Sequence, residues 1–170
     1  MEQLNNPVTL IVVSSLIFLV VAVLSVGLPR LISHRWNKHK AQTVHKWEAA
    51  GIKFQRGPNG GKFGGLESMG VSRVITGVGY VALTTKDLRV TRVTPFGEWI
   101  ITFKQIKSVT MRSAFMGQRS QKTPFIVVRF IKDGQADKLG FQVGDTETWA
   151  EDLARAAKVS LKNELDEADD

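Results

Sequence analysis

The sequence contains no cysteine and only three histidines, His34, His39 and His45. The absence of cysteine excludes disulfides, thiolate nucleophiles and cysteine-based metal sites. The histidines are five and six residues apart, so they do not share one helix face, and none belongs to a His-Glu-x-x-His motif. The sequence therefore predicts neither a metal site nor a bound cofactor.

Acidic residues are scarce in the middle of the chain. Between Gly51 and Lys132 there are 14 lysines and arginines but only three acids, whereas residues 133–170 contain four bases and 11 acids. General acid–base catalysis needs clustered carboxylates, histidines or activated nucleophiles, and no such pattern is present. We therefore expect that the chain is not an enzyme.

Two glycine-rich segments resemble phosphate-binding motifs without completing them. Gly77 to Ala82 has the spacing Gly-x-Gly-x-x-Ala, but no helix is predicted after it, so we expect a hairpin turn. Gly57 to Gly65 fails as a nucleotide-binding loop, because Phe63 stands where a hydroxyl residue is required. We expect a flexible loop there. Phosphate binding by its backbone N–H groups and Lys62 is an alternative function.

One long apolar run stands near the start of the chain. Val8 to Leu28 contains no charged residue, and a helix rising about 1.5 Å per residue would let it span the roughly 30 Å hydrocarbon core of a bilayer. A cleaved signal peptide is the alternative, but it requires a basic start and a shorter apolar run. We expect an uncleaved transmembrane helix over residues 8–28.

Charge predicts the orientation of this helix. Five basic residues and no acid lie between the apolar run and Glu48. Lys and Arg beside a membrane span stay on the cytoplasmic side. We therefore expect a single-pass protein of the cell's inner membrane, with residues 1–7 outside the cytoplasm and the C-terminal domain in the cytoplasm. Residues 29–50 are predicted to form a basic helical linker, in which Trp36 and Trp47 are either interfacial anchors or helix-packing residues.

After Gly51 the sequence changes to short β-branched segments separated by turn residues. Strands are predicted at 51–56, 71–76, 79–84, 87–93, 98–103, 106–112, 125–131 and 138–143. An amphipathic helix is predicted after Asp145, with Trp149 facing inward, and residues 163–170 are predicted to be an acidic disordered tail. The predicted fold class is one transmembrane helix plus a mainly-β domain over residues 51–162, with about seven antiparallel strands in a barrel or sandwich closed by a C-terminal helix.

This order of strands and a final helix resembles pleckstrin-homology-like (PH-like) and GRAM-type domains. The segments Phe63-Gly-Gly-Leu-Glu-Ser68 and Gly77-Val-Gly-Tyr-Val-Ala-Leu-Thr84, followed by Trp149, resemble uncharacterised bacterial proteins with a single membrane span and a PH-like domain. The resemblance implies this architecture and brings no assigned activity.

The basic half of the domain predicts a negatively charged or membrane-bound partner. Anionic lipid attracts Lys and Arg near a membrane, whereas no nucleic-acid recognition motif is present, so nucleic acid is not an expected partner. We expect an interaction module or accessory subunit of a membrane protein assembly, and an anionic-lipid-binding module is the alternative. The residues predicted to contact lipid or a partner are Arg30, Arg35, Lys38, Lys40, Lys53, Arg56, Lys62, Arg112, Phe115, Met116, Arg119 and Lys122.

The segment around Phe115 and Met116 allows two interpretations. Residues 112–122 are basic and contain these two large apolar side chains. Exposed apolar residues surrounded by cations would suit insertion into a membrane interface or a protein groove. Alternatively, the two side chains fold back over the end of the β-domain and belong to its core.

Overall fold

The computed structural model describes residues 11, 13–16, 18, 21, 28–69, 77–93, 96–120 and 122–165. The chain forms two compact units, Met1–Lys46 and Trp47–Asp170. Residues 11, 13–16, 18 and 21 are helical, and helix α1 covers Leu28–Ala49. Most of the predicted span, Val8 to Leu28, and the predicted strand at 71–76 lie outside the described residues.

The second unit contains ten strands and one long helix in its described part. In chain order the strands are β1 Phe54–Leu66, β2 Gly77–Thr84, β3 Asp87–Arg92, β4 Gly97–Thr102, β5 Ile106–Arg112, β6 Ala114–Phe115, β7 Gln118–Arg119, β8 Phe125–Lys132, β9 Gln135–Val143 and β10 Leu161–Glu164. Helix α2 covers Thr146–Ala157, and short 3-10 turns cover Glu67–Met69 and Phe103–Gln105.

The predicted fold class is wrong. Eight strands form one mixed sheet in the order β10-β5-β8-β9-β1-β2-β3-β4, instead of a seven-stranded barrel or sandwich. All pairs in this sheet are antiparallel except the parallel pair of β10 with β5. Within the described part of the chain, no helix combines the length and the apolar character needed to cross a membrane.

The glycine-rich segment predicted as a loop is part of the longest strand. Strand β1 pairs with β2 along one edge and with β9 along the other, so Gly61 lies opposite both Gly79 and Val143. This double pairing joins eight of the strands into one sheet, whereas β6 and β7 pair with each other in a separate two-stranded sheet. The backbone groups that a phosphate-cradling loop would need are instead used in strand pairing.

Glycine at position 79 permits a close approach between two strands. The expected turn at Gly77 to Gly79 is also wrong, because these residues begin β2. A Cβ added at Gly79 would lie 1.9 Å from the carbonyl oxygen of Thr91 on β3. The strand therefore needs a residue without a side chain at this position.

The hydrophobic core lies between one face of the sheet and helix α2. Alternate residues of β8, Ile126 and Val128, are fully buried there, as the two-residue period of a strand requires. Helix α2 contributes Trp149 and Leu153, each with no exposed surface. The predicted C-terminal helix with Trp149 facing inward is therefore present. The predicted disordered tail is wrong at Asn163 and Glu164, which belong to β10.

We predict that Gly79→Ala destabilises the chain, because the added methyl group must displace the backbone of β3. The free energy of unfolding should fall by about 3 kcal/mol, as in other overpacked sites. Gly60→Ala is the matched control, since a Cβ at Gly60 on the neighbouring strand meets nothing within 4 Å. Urea unfolding followed by circular dichroism measures both changes. Equal stability of the two variants would contradict the close approach.

Tyr80 provides a second test, because it is the only tyrosine in the chain. Its side chain is 1% exposed, and burial raises its pKa to about 12. Burial favours the neutral phenol, so the stability it confers is present below the unfolded pKa of about 10 and is lost as the pH rises towards 12. Tyrosinate absorbance should therefore appear near pH 12 in the folded chain and near 10 in urea. Titration near 10 with a native circular dichroism spectrum would contradict this burial.

Candidate ligand-binding groove

Three chain segments meet at one end of the sheet, and each contributes an exposed lysine. They are the β2–β3 turn with Lys86, the 3-10 turn after β4 with Lys104, and the end of α2 with Lys158. Because β2 and β4 run in the same direction on either side of β3, their final residues lie at the same end of the sheet. The lysines that follow these strands are therefore neighbours.

The 3-10 turn is held by local hydrogen bonds. The side-chain Oε1 of Gln105 accepts from the backbone N–H of Thr102 at 2.8 Å and from its hydroxyl at 3.0 Å. The backbone N–H of Phe103 donates to the carbonyl oxygen of Lys86 at 3.2 Å. These bonds fix the turn against the β2–β3 turn, so Lys86 and Lys104 have defined backbone positions.

The end of α2 is closed by a left-handed residue. Lys158 has φ 56° and ψ 42°, and its N–H donates to the carbonyl oxygen of Arg155. The N–H of Val159 donates to the carbonyl oxygen of Ala154 at 3.0 Å. The carbonyls of Ala154 and Arg155 are thus satisfied within the chain. Lys158 lies where a cation offsets the negative end of the helix dipole.

The basic groove is the hollow between these segments, lined by Lys86, Thr102, Phe103, Lys104, Ala156, Ala157 and Lys158. Its volume is about 580 Å³. Phe103 and the two alanines are half-buried against the core, and the small alanine side chains leave the space open. The groove therefore has an apolar floor and three cations at its rim.

The electrostatics of the basic groove favour anions. Three of its seven lining residues are lysines and none is acidic. The half-charge at the end of α2 is negative, but it is much smaller than three full positive charges. A ligand that suits this groove is negatively charged at one end and apolar at the other.

A second hollow of about 390 Å³ adjoins the basic groove, because Lys86 lines both. Its other lining residues include Lys53, Arg89 and Asp87. The guanidinium of Arg89 pairs with Asp87 at 3.0 Å and lies 5.7 Å from the centre of the Trp47 ring. Arg89 and Asp87 neutralise each other, so Lys53 and Lys86 give this hollow its positive charge.

Trp47 is a packing residue in the structure. It is 2% exposed, and its Nε1 donates to Oε1 of Glu98 on β4 at 3.0 Å. Its ring lies 5.9 Å from that of Phe54 at the start of β1. Of the two interpretations of Trp47, the structure supports packing.

Within the second unit, the residues predicted to contact lipid or a partner are spread over several elements. Lys53 lines the second hollow, Lys62 is exposed on β1, and Lys122 lies at a separate cavity beside the start of α2. Arg119 is exposed on β7. The remaining basic residues of the prediction that precede β1 lie on α1, and they are Arg30, Arg35, Lys38 and Lys40.

Phe115 and Met116 fold back onto the domain. Phe115 is 5% exposed and packs with Phe125 and Val127 on the face of the sheet opposite the main core, and Met116 packs against this cluster. Phe115 lies directly over Gly140, where an added Cβ would be 2.3 Å from its ring. Of the two interpretations of this segment, the structure therefore supports the one without membrane insertion.

Arg56 and Arg112 are engaged with acidic side chains. Arg56 on β1 pairs with both Asp145 and Asp152, and its guanidinium lies 5.3 Å from the centre of the Trp149 ring. Arg112 on β5 donates from Nε to Oε2 of Glu164 at 2.8 Å. Both arginines hold elements of the domain together.

Sequence reasoning missed Lys86, Lys104 and Lys158. A signal was present, because Lys86 and Lys104 each follow a predicted strand and Lys158 lies near the predicted helix end. Only the order of strands in the sheet shows that these positions meet. No cluster of three or more metal-ligating side chains occurs among the residues that the structure describes.

Comparison with known proteins finds a similar fold but no family. No protein-family model matches the chain, and no curated protein matches its sequence. The hSac2 domain from human phosphoinositide phosphatase Sac2 matches with a TM-score of 0.53 and 11% identity, over 78% of this chain and 91% of that one. A complex of PDZ-RhoGEF DH/PH domains with activated RhoA matches with a TM-score of 0.38 and 16% identity, over 59% and 28%. That second likeness is too distant to support an argument.

The expectation that the chain is not an enzyme is corrected by the first comparison. The fold of this chain is shared with a domain of a phosphoinositide phosphatase, so it is a fold that occurs within an enzyme. At 11% identity the likeness extends to the fold alone. The resemblance to bacterial single-span proteins stays a prediction.

We predict that Arg56→Met lowers the free energy of unfolding by about 1–2 kcal/mol, because it removes a two-acid ion pair and the contact with Trp149. Arg155→Met is the matched control, since Arg155 also pairs with Asp152, at 3.1 Å, but its side chain is 75% exposed. Urea unfolding at neutral pH measures both. Equal stability of the two variants would contradict the role of Arg56.

The loss of stability caused by Arg56→Met should depend on pH. Hydrogen bonds from Thr148 and Arg56 lower the pKa of Asp145. A lowered carboxyl pKa confers stability above the unfolded value of about 4, and this stability is lost as the pH falls through the folded value. The difference in stability between wild type and Arg56→Met should therefore shrink in acid. A constant difference from neutral to acidic pH would contradict the ion pair.

Proposed function

We propose that this chain is a PH-like module that binds membrane surfaces containing anionic lipid, with the basic groove as its contact site. The observation that carries the proposal is the combination of three lysines and an apolar floor in one groove without an acidic lining residue. Phosphate groups of lipids pair with the lysines, and the upper part of an acyl chain covers Phe103 and the alanines.

Charge magnitudes support a useful affinity for such a surface. Each basic residue near an anionic membrane contributes about 1 kcal/mol, so Lys86, Lys104 and Lys158 together contribute about 3 kcal/mol. Lys53 in the adjoining hollow adds to this attraction. Because the lysines are exposed, the attraction is screened by salt.

The overall charge distribution supports the same proposal. Residues 51–132 carry 14 bases and three acids, and residues 29–50 add five bases and one acid. This excess attracts the module to any negatively charged surface. The groove then distinguishes a lipid surface from other polyanions, since only a lipid offers apolar chains to the apolar floor.

The test is vesicle flotation of the full chain with phosphatidylcholine alone and with phosphatidylcholine mixed with phosphatidylglycerol. The ratio of the two affinities isolates the anionic contribution, because apolar contacts are common to both vesicles. Lys86→Gln/Lys104→Gln/Lys158→Gln should lower this ratio by about a hundredfold, which corresponds to about 3 kcal/mol. Added salt should reduce the wild-type ratio more than that of this triple variant.

Lys107→Gln/Lys132→Gln/Lys162→Gln is the matched control, since it removes three exposed lysines from strands outside the groove. The proposal predicts that this control keeps most of the wild-type ratio. An equal loss in both triple variants would show that net charge alone acts. An unchanged ratio in the groove variant would overturn the proposal.

A further inference from the structure

The C-terminal segment of the chain occupies an edge of its own sheet. After α2 the chain turns back, and β10 pairs in parallel with β5, with Leu161 opposite Val109 and Glu164 opposite Arg112. All other pairs of this sheet are antiparallel between strands that precede α2. The segment 161–164 is therefore an addition to a β5 edge that would otherwise offer unpaired backbone groups.

The side chains of this segment show what the β5 edge recognises. Leu161 and Leu165 are half-buried and pack against the main core. Glu164 accepts from Nε of Arg112 at 2.8 Å. Lys162 and Asn163 are exposed. The edge thus selects an extended segment with the pattern aliphatic-x-x-acidic-aliphatic.

The interactions that keep this segment on β5 are of modest strength. Strand β10 has four residues, and parallel pairing is slightly less stable per residue than antiparallel pairing. The side chains of Arg112 and Glu164 are 35% and 20% exposed, so water weakens their ion pair. A cavity of about 370 Å³ lies directly beside the segment, lined by Met111, Asn163 and Leu165 among others. A competing strand would therefore have space beside β5 and could make the same contacts with Arg112 and the main core.

We propose that the β5 edge is a docking site for an extended segment of a partner protein, and that residues 161–165 cover this site as an autoinhibitory strand. The partner's segment carries an acidic residue to meet Arg112 and aliphatic residues on either side of it. Binding in this mode adds a strand to the sheet edge. This docking site is independent of the lipid binding proposed for the basic groove.

The probe is a labelled synthetic peptide with the sequence of residues 159–165, titrated against the full chain in mild detergent. In the wild type the tethered segment has an effective concentration in the millimolar range, so the free peptide competes poorly. Glu164→Arg places two like charges together and releases the segment, and the peptide should then bind about tenfold more tightly. Lys162→Ala is the matched control, because its side chain is exposed, and it should behave like wild type.

A charge exchange tests the contact with Arg112 directly. Arg112→Glu should bind a peptide with arginine at the position of Glu164 and should not bind the original peptide. The double variant Arg112→Glu/Glu164→Arg restores the internal ion pair. It should therefore bind both peptides as poorly as the wild-type chain binds the original peptide. These results would support the docking edge.

Two results would overturn the inference. In the first, the peptide binds Glu164→Arg no more tightly than it binds wild type. In the second, the peptide with arginine fails to distinguish Arg112→Glu from wild type. Because these two variants change opposite partners of the same ion pair, misfolding of one leaves the other as an independent test.

Discussion

Strand β1 pairs along both edges, and the rest of the domain depends on this double pairing. On one side it holds β2, β3 and β4, and on the other it holds β9, β8 and β5. Its glycines let neighbouring groups approach closely, as at Gly64, where an added Cβ would lie 2.9 Å from the Phe125 ring. Without this strand the two groups of strands would have no hydrogen-bonded connection, and the core face would not be continuous.

Helix α2 positions parts of both proposed contact sites. Arg56 on β1 pairs with Asp145, which precedes the helix, and with Asp152 near its middle, and Lys158 directly after the helix lines the basic groove. The chain leaves α2 to form β10 beside β5. Both proposed contact sites, the basic groove and the β5 edge, therefore depend on the placement of one helix, which Arg56 and the buried Trp149 secure.

Part of the fold could be predicted from the sequence because local patterns are strong there. Strand β5 coincides with the predicted 106–112, and α2 shows the apolar spacing of Trp149 and Leu153. The glycine-rich part of β1 could not be predicted, since glycine has low strand propensity and the strand forms only because partners pair on both sides. Strand β10 was missed for a similar reason, because a polar segment becomes a strand only where β5 offers an edge.

The site was harder to predict than the strands. Sequence reasoning favoured clusters of charge along the chain, and it therefore selected Arg56, Arg112 and the segment around Phe115. The structure uses these residues for ion pairs and packing. Lys86, Lys104 and Lys158 stand far apart in sequence, and only the order of β2, β3 and β4 together with the end of α2 brings them into one groove. The local pattern places each lysine at the end of a predicted element, but it does not show that these ends meet.

Anionic lipid is proposed to contact the basic groove. The most direct measurement is hydrogen–deuterium exchange of the full chain with vesicles of phosphatidylcholine alone and of phosphatidylcholine mixed with phosphatidylglycerol. If anionic lipid contacts this groove, the anionic vesicles should specifically slow exchange at residues 85–87, 102–105 and 156–159. Slowed exchange confined to other segments, or no difference between the two vesicles, would contradict it.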